Sequence, residues 1–133
     1  KMAPTLPETN FIITDLQTLP FESENFDVVL CSAVLHFARS DAHFKAMVRE
    51  LWRVLKPGGM LFCRFGTTIG LEGKLQQEEG YFYRMSHGPV WFLADEAMIV
   101  EMEKQFHSER LEPLKTVLVE RERGMTTWVL RKL

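Results

Sequence analysis

Apolar and polar positions along the chain mark out a succession of short strands and longer amphipathic helices. Asn10 to Asp15 (NFIITD) is an apolar run rich in β-branched residues and predicts a buried strand ending on Asp15. Leu16 to Asn25 is polar, with Pro20 inside it, and reads as a loop or a short distorted helix. Phe26 to Cys31 (FDVVLC) predicts a second buried strand. Phe44, Met47, Val48, Leu51, Trp52 and Leu55 then recur at helical spacing. They make one apolar face of a helix of about 15 residues. Ser40 and Asp41 are good N-caps for it. Arg49, Glu50 and Arg53 fall on its polar side, most simply a solvated face. Lys56-Pro57-Gly58-Gly59 ends it, since Pro57 disfavours helical geometry before it and the glycines permit positive φ. Met60 to Phe65 (MLFCRF) predicts a third buried strand.

From Gly66 to Phe92 the pattern breaks up under repeated glycines, and aromatics gather at Tyr81, Phe82, Tyr83, Trp91 and Phe92. Asp95 caps a second helix with Met98, Ile99, Met102 and Phe106 on one face. Thr116 to Arg121 and Met125 to Lys132 predict two final strands, joined through Arg123-Gly124 as an antiparallel hairpin. Strands alternating with helices predict an α/β fold, with a mostly parallel sheet and an antiparallel C-terminal edge.

Composition narrows the function classes. The 133 residues point to one domain, 46% hydrophobic and 26% charged, an ordinary globular mix. A formal net charge of -2 offers no basic field to nucleic acid or an anionic membrane. No apolar run approaches the ~18 residues of a transmembrane span, and no secretory signal is visible. Cys31 and Cys63 each lie in an apolar run without metal-like spacing, so core thiols in a reducing cytoplasm are expected, and no metal. The chain opens on Lys1 with Met2 behind it, and the expectation is that processing or fragmentation has removed what came before.

Three segments carry a family resemblance. They are Ile13-Thr14-Asp15-Leu16 through Leu19-Pro20-Phe21, Phe26-Asp27-Val28-Val29 through Leu35-His36-Phe37, and Arg53-Val54-Leu55-Lys56-Pro57-Gly58-Gly59. In this order and at these spacings they resemble the class I S-adenosylmethionine-dependent methyltransferases. The terminal hairpin fits that Rossmann-like fold and does not fit a plain dinucleotide-binding domain, which disfavours a nicotinamide-dependent enzyme. The resemblance implies a seven-stranded sheet in the order 3-2-1-4-5-7-6, of which this chain supplies strands 3 to 7. The first two strands, the glycine-rich loop and the acidic residue that holds the ribose are missing, and no G-x-G-x-G stands in the sequence. Two missing strands leave a gap of roughly 14 Å. Leu16 to Asn25 can span about 30 Å, so the connection tolerates it. Asn10 to Asp15 would still lack a pairing partner, which is costly when buried. Three outcomes are expected: the chain is a truncated piece of a larger domain, a partner chain such as a second copy in a homodimer fills the gap, or the fragment rearranges.

The resemblance also implies roles. Asp15 would accept from the adenine amine and the Leu16 backbone N–H would donate to the ring; the alternative is that Asp15 caps the next turn. Cys31, Ser32, Ala33 and Val34 would flank the methionine part of the cofactor, against ordinary strand-to-loop packing. His36 sits just beyond the strand, as a base or as a packed core ring. Arg64 and Arg84 suit a substrate carboxylate or phosphate, or are paired surface arginines. Tyr81, Tyr83 and Trp91 lie in residues 67–93, where a substrate lid or a satellite core is expected. The function implied is methyl transfer from S-adenosyl-L-methionine to a small-molecule acceptor. The rival is a non-catalytic interaction or dimerisation module.

Overall fold

A computed structural model describes residues 7–120 and 122–133. Its elements in chain order are β1 (Phe26–Ser32), α1 (Asp41–Arg53), β2 (Leu55–Thr67), β3 (Gln76–Glu79), β4 (Phe82–Arg84), β5 (Val90–Phe92), α2 (Glu96–Gln105), β6 (Ser108–Arg110), β7 (Lys115–Val119) and β8 (Arg123–Lys132). Single 3-10 turns occupy Glu8–Asn10 and Leu35–Phe37.

The main sheet runs β1-β2-β8, with β6 and β7 both paired to β8. β1 and β2 are parallel, with Cys31 opposite Cys63, and the β8 pairings are antiparallel. The order β1-β2-β8-β7 places these strands where the family has its fourth, fifth, seventh and sixth. The α/β class and the terminal hairpin are therefore as expected. The hairpin turn is not at Arg123-Gly124, which already belong to β8, with Val119 opposite Arg123. Gly124 instead permits close approach, since a Cβ there would meet Ile69 O and Thr116 Cγ2 at 3.0 Å. Across β2, β8 and β7 the Thr126 hydroxyl lies 2.6 Å from that of Thr67 and 2.7 Å from that of Thr116.

Helix α1 forms as predicted. The Ser40 hydroxyl accepts from His43 N–H at 3.0 Å, and Phe44, Met47, Val48, Leu51 and Trp52 are buried. Helix α2 is capped by Asp95, which accepts from Met98 N–H at 2.8 Å. Both helices pack on one face of the sheet, against Leu61, Cys63, Phe65, Trp128 and Leu130. Burying such side chains is worth roughly 1.5–3 kcal/mol each.

Several expectations change. Asn10 to Asp15 is not a strand: Phe11, Ile12 and Ile13 are exposed, and no ladder partner exists for them among the described residues. Without a neighbouring strand the extended backbone has nothing to pair with. β1 is not buried on both faces either. Val28 and Leu30 are exposed because nothing among the described residues covers the face opposite the helices or the outer edge of β1. Lys56-Pro57-Gly58-Gly59 is more than a stop: β1 advances from Phe26 to Val28 while β2 advances from Leu55 to Met60, so these residues form a bulge within β2. Residues 76–92 are a second antiparallel sheet, β3-β4-β5, rather than irregular. It divides the aromatic cluster. Tyr81, Phe82 and Phe92 join the main core, and Trp91 with Met85 and Leu93 makes a satellite core against which Tyr83 packs.

Candidate functional site

Two clefts flank the segment that leaves β1. The larger, about 400 Å³, is lined by Thr14, Leu16, Leu19, Leu30, Cys31, Ser32, Val34 and Leu51. It lies beyond the carboxyl end of a parallel strand, where open α/β sheets bind ligands. Four of the six expected cofactor residues, Leu16, Cys31, Ser32 and Val34, meet there. Asp15 is exposed, outside that lining, and its Oδ1 accepts from Gln17 N–H at 2.9 Å, which closes a local turn. Ala33 faces the second cleft. It carries φ 59, a left-handed conformation costing a residue with a Cβ roughly 1–2 kcal/mol, and its N–H donates to Arg64 O at 2.8 Å. Such strain is typical where backbone is shaped for a ligand.

The loop wall of the larger cleft is held by α1. Glu50 Oε2 accepts from Leu19 N–H at 2.7 Å. Arg53 donates to both Glu50 oxygens at 2.8 Å, to Leu19 O at 3.2 Å and to Ser23 Oγ at 3.2 Å. The Arg53 guanidinium holds the Glu50 carboxyl below the usual carboxylate range, against desolvation. The polar side of α1 is therefore not merely solvated: Glu50 and Arg53 position Leu19 in the cleft. Only the helical offset of the two charges hinted at this, because their loop partners are distant in sequence.

The second cleft, about 150 Å³, is lined by Ala33, His36, Arg64, Trp91, Val119, Arg123 and Met125. His36 is buried, stacks on Trp91 at 4.1 Å between ring centroids, and accepts from Gly66 N–H through Nδ1 at 3.1 Å. Gly66 allows this contact: a Cβ there would meet Leu93 Cδ2 at 3.0 Å and His36 Cβ at 3.5 Å. Burial, then the charges of Arg123 and Arg64, push the imidazole down to about 4. His36 is thus neutral near pH 7, with its ring proton on Nε2. Arg123, which the sequence suggested only as a hairpin-turn residue, lies with its guanidinium carbon 5.6 Å from the Trp91 ring centroid. Of the aromatic residues proposed for substrate, Trp91 lines this cleft. Tyr83 lines a separate one with Asp95, and Tyr81 packs on Phe92, its phenol pushed up mainly by burial. Arg84 is paired to Glu78 at 3.0 Å, away from both clefts. Cys31 and Cys63 are free and buried. A hydrogen bond from the Cys63 thiol pulls Cys31 down, and the same contact with burial pushes Cys63 well up. No described helix is long and apolar enough to cross a membrane.

Comparisons with known proteins agree with this architecture. A family model described as a methyltransferase domain matches residues 1–63. A phthiotriol/phenolphthiotriol dimycocerosates methyltransferase of Mycobacterium ulcerans is 45% identical over 56 residues, covering 42% of this chain and 20% of that protein. An uncharacterised protein of Methanocaldococcus jannaschii is 30% identical over 109 residues, covering 82% of this chain and 51% of that one. The chain thus spans about half, or less, of the length of these relatives. The crystal structure of a SAM-dependent methyltransferase from Methanosarcina mazei superposes with a TM-score of 0.73 at 19% identity, over 92% of this chain and 66% of that one. In its three ordered motifs, its matched domain and its shared sheet, the chain is similar to the class I S-adenosylmethionine-dependent methyltransferases.

Proposed function

We propose that this chain serves methyl transfer from S-adenosyl-L-methionine to a small-molecule acceptor. The observation that carries the reading is the convergence of Leu16, Cys31, Ser32 and Val34 on one cleft of about 400 Å³, within the usual range of small-ligand sites. Its lining fits the cofactor in kind: apolar Leu16, Leu19, Leu30 and Leu51 offer contact to a flat ring. Ser32 and the backbone turn at Ala33 offer close polar approach. Asp15 keeps one carboxylate oxygen beyond its turn bond at the mouth of the loop, where an adenine amine would donate to it. The bound cofactor supplies an electrophilic methyl group on a sulfonium.

The chain's own residues supply alignment. The Cys31–Val34 segment separates the two clefts, so an acceptor in the second lies beside a cofactor in the first. His36 offers Nε2–H to hold the acceptor. A group with a pKa of about 4 is a weak base near pH 7, since general bases work best with a pKa near the operating pH. The rate therefore comes from orientation rather than proton abstraction.

Calorimetric titration of S-adenosylhomocysteine into the 133-residue chain tests this, with Ser32→Phe and Asp15→Ala as variants. Micromolar binding, weakened about tenfold or more by Ser32→Phe, supports the reading. No binding, or binding indifferent to both substitutions, overturns it for this chain. The uncovered edge of β1 favours a second reading, a module that associates through that edge.

A further inference from the structure

We infer that the cleft of Ala33, His36, Arg64, Trp91 and Arg123 is an anion subsite, which takes a carboxylate or phosphate group of the methyl acceptor. The word acceptor rests on the methyl-transfer reading; the anion site itself does not.

The lining carries two guanidinium groups and no Asp or Glu. Four other described arginines are matched: Arg53 to Glu50, Arg84 to Glu78, Arg110 to Glu103 and Arg131 to Glu109. Arg39 and Arg49 stand exposed on the surface. Arg64 and Arg123 alone are half-buried without a carboxylate partner among the described residues. Two like charges share one small concavity, an arrangement an oxyanion would relieve. Both also bear on His36, where their charges add to burial in favouring the neutral ring. The His36 ring is fixed by its bond from Gly66 N–H, which leaves Nε2–H as a third donor. Trp91, stacked on His36 and reached by the Arg123 guanidinium, forms the apolar floor. At about 150 Å³ the cleft is far below the roughly 300 Å³ of a whole-ligand pocket. It fits one charged group, with the remainder of the acceptor directed past Ala33 toward the larger cleft.

The test follows the Trp91 indole, the His36 ring and the arginine Nε–H signals by NMR in the 133-residue chain. Acetate and inorganic phosphate are titrated separately, at an ionic strength held constant with chloride. Saturable shifts confined to these groups are expected, and the tighter probe identifies the carboxylate or phosphate source. Arg64→Met and Arg123→Met should each weaken binding about tenfold or more, as loss of a charge-assisted bond implies. Arg123→Lys, which keeps the charge and perturbs the fold least, should bind between wild type and Arg123→Met. Shifts that fail to saturate, that chloride reproduces, or that survive both methionine substitutions overturn the subsite; if the methionine variants do not fold, unchanged affinity in Arg123→Lys and Arg64→Lys does so. A parallel S-adenosylhomocysteine titration separates the two ideas. Cofactor binding without an anion response defeats the subsite and leaves the methyl-transfer reading. An anion response without cofactor binding does the reverse.

Discussion

His36 shows how one residue's surroundings set its chemistry. Its ordinary value of 6.5 falls to about 4 in the fold, so between those values the unfolded chain binds a proton that the folded chain refuses. The stability it contributes is fully present above pH 6.5 and is lost as pH falls toward 4. The ceiling on that loss is about 3 kcal/mol. Urea unfolding of the wild type at pH 7 and pH 4.5 should therefore show a drop that His36→Asn largely removes; equal pH slopes in the two proteins would contradict this. The sequence placed His36 beyond β1 and near the site. It did not disclose the tautomer, which depends on Gly66, thirty residues away. Nor did it disclose Arg123, whose relevance arises only when β8 pairs with β2 and brings it toward Trp91.

Among the elements, helix α1 and the bulge in β2 both do more than their patterns suggest. Glu50→Ala should free the Leu19 loop, costing about 1–2 kcal/mol of stability. It should also weaken S-adenosylhomocysteine binding severalfold and speed hydrogen exchange at the Leu19 amide. An unchanged Leu19 amide would show that the clamp is not what holds the loop. Gly59→Ala should cost about 1–3 kcal/mol in denaturant unfolding, because its Cβ would lie 2.7 Å from Asp27 O and 2.8 Å from Lys56 O, both backbone. Helical periodicity made α1 and α2 legible almost to their caps, and the terminal hairpin was legible from its β-branched runs. β3, β4, β5 and β6 were not. Gln76–Glu79 buries no side chain, and three- or four-residue strands carry too little alternation to register. Asn10 to Asp15 failed for the opposite reason: its pattern is that of a strand, but a strand exists only where a neighbour pairs with it.

On the scale of the whole molecule, helices cover one face of the sheet, while Val28 and Leu30 stand exposed on β1. Exposed apolar residues along an unpaired strand edge promote association. Sedimentation at rising concentration should show self-association of the wild type that Leu30→Lys reduces; a monomer at all concentrations would remove the association reading. The fold class and the order of motifs were legible because they depend on local pattern. The split into two clefts was not, because it depends on which way the chain turns at Ala33. The threonine trio bears on the same point. Side chains alternate along a strand, so a slip of β8 by one residue would turn every side chain to the opposite face. Thr126 joins its hydroxyl to strands on both sides, so any slip breaks two bonds at once and strands polar groups in a dry interior. Arg123 begins that same strand. Two buried hydroxyls and a half-buried third thereby act as a ruler for a half-buried charge, and the aim of the anion cleft is calibrated from within the sheet.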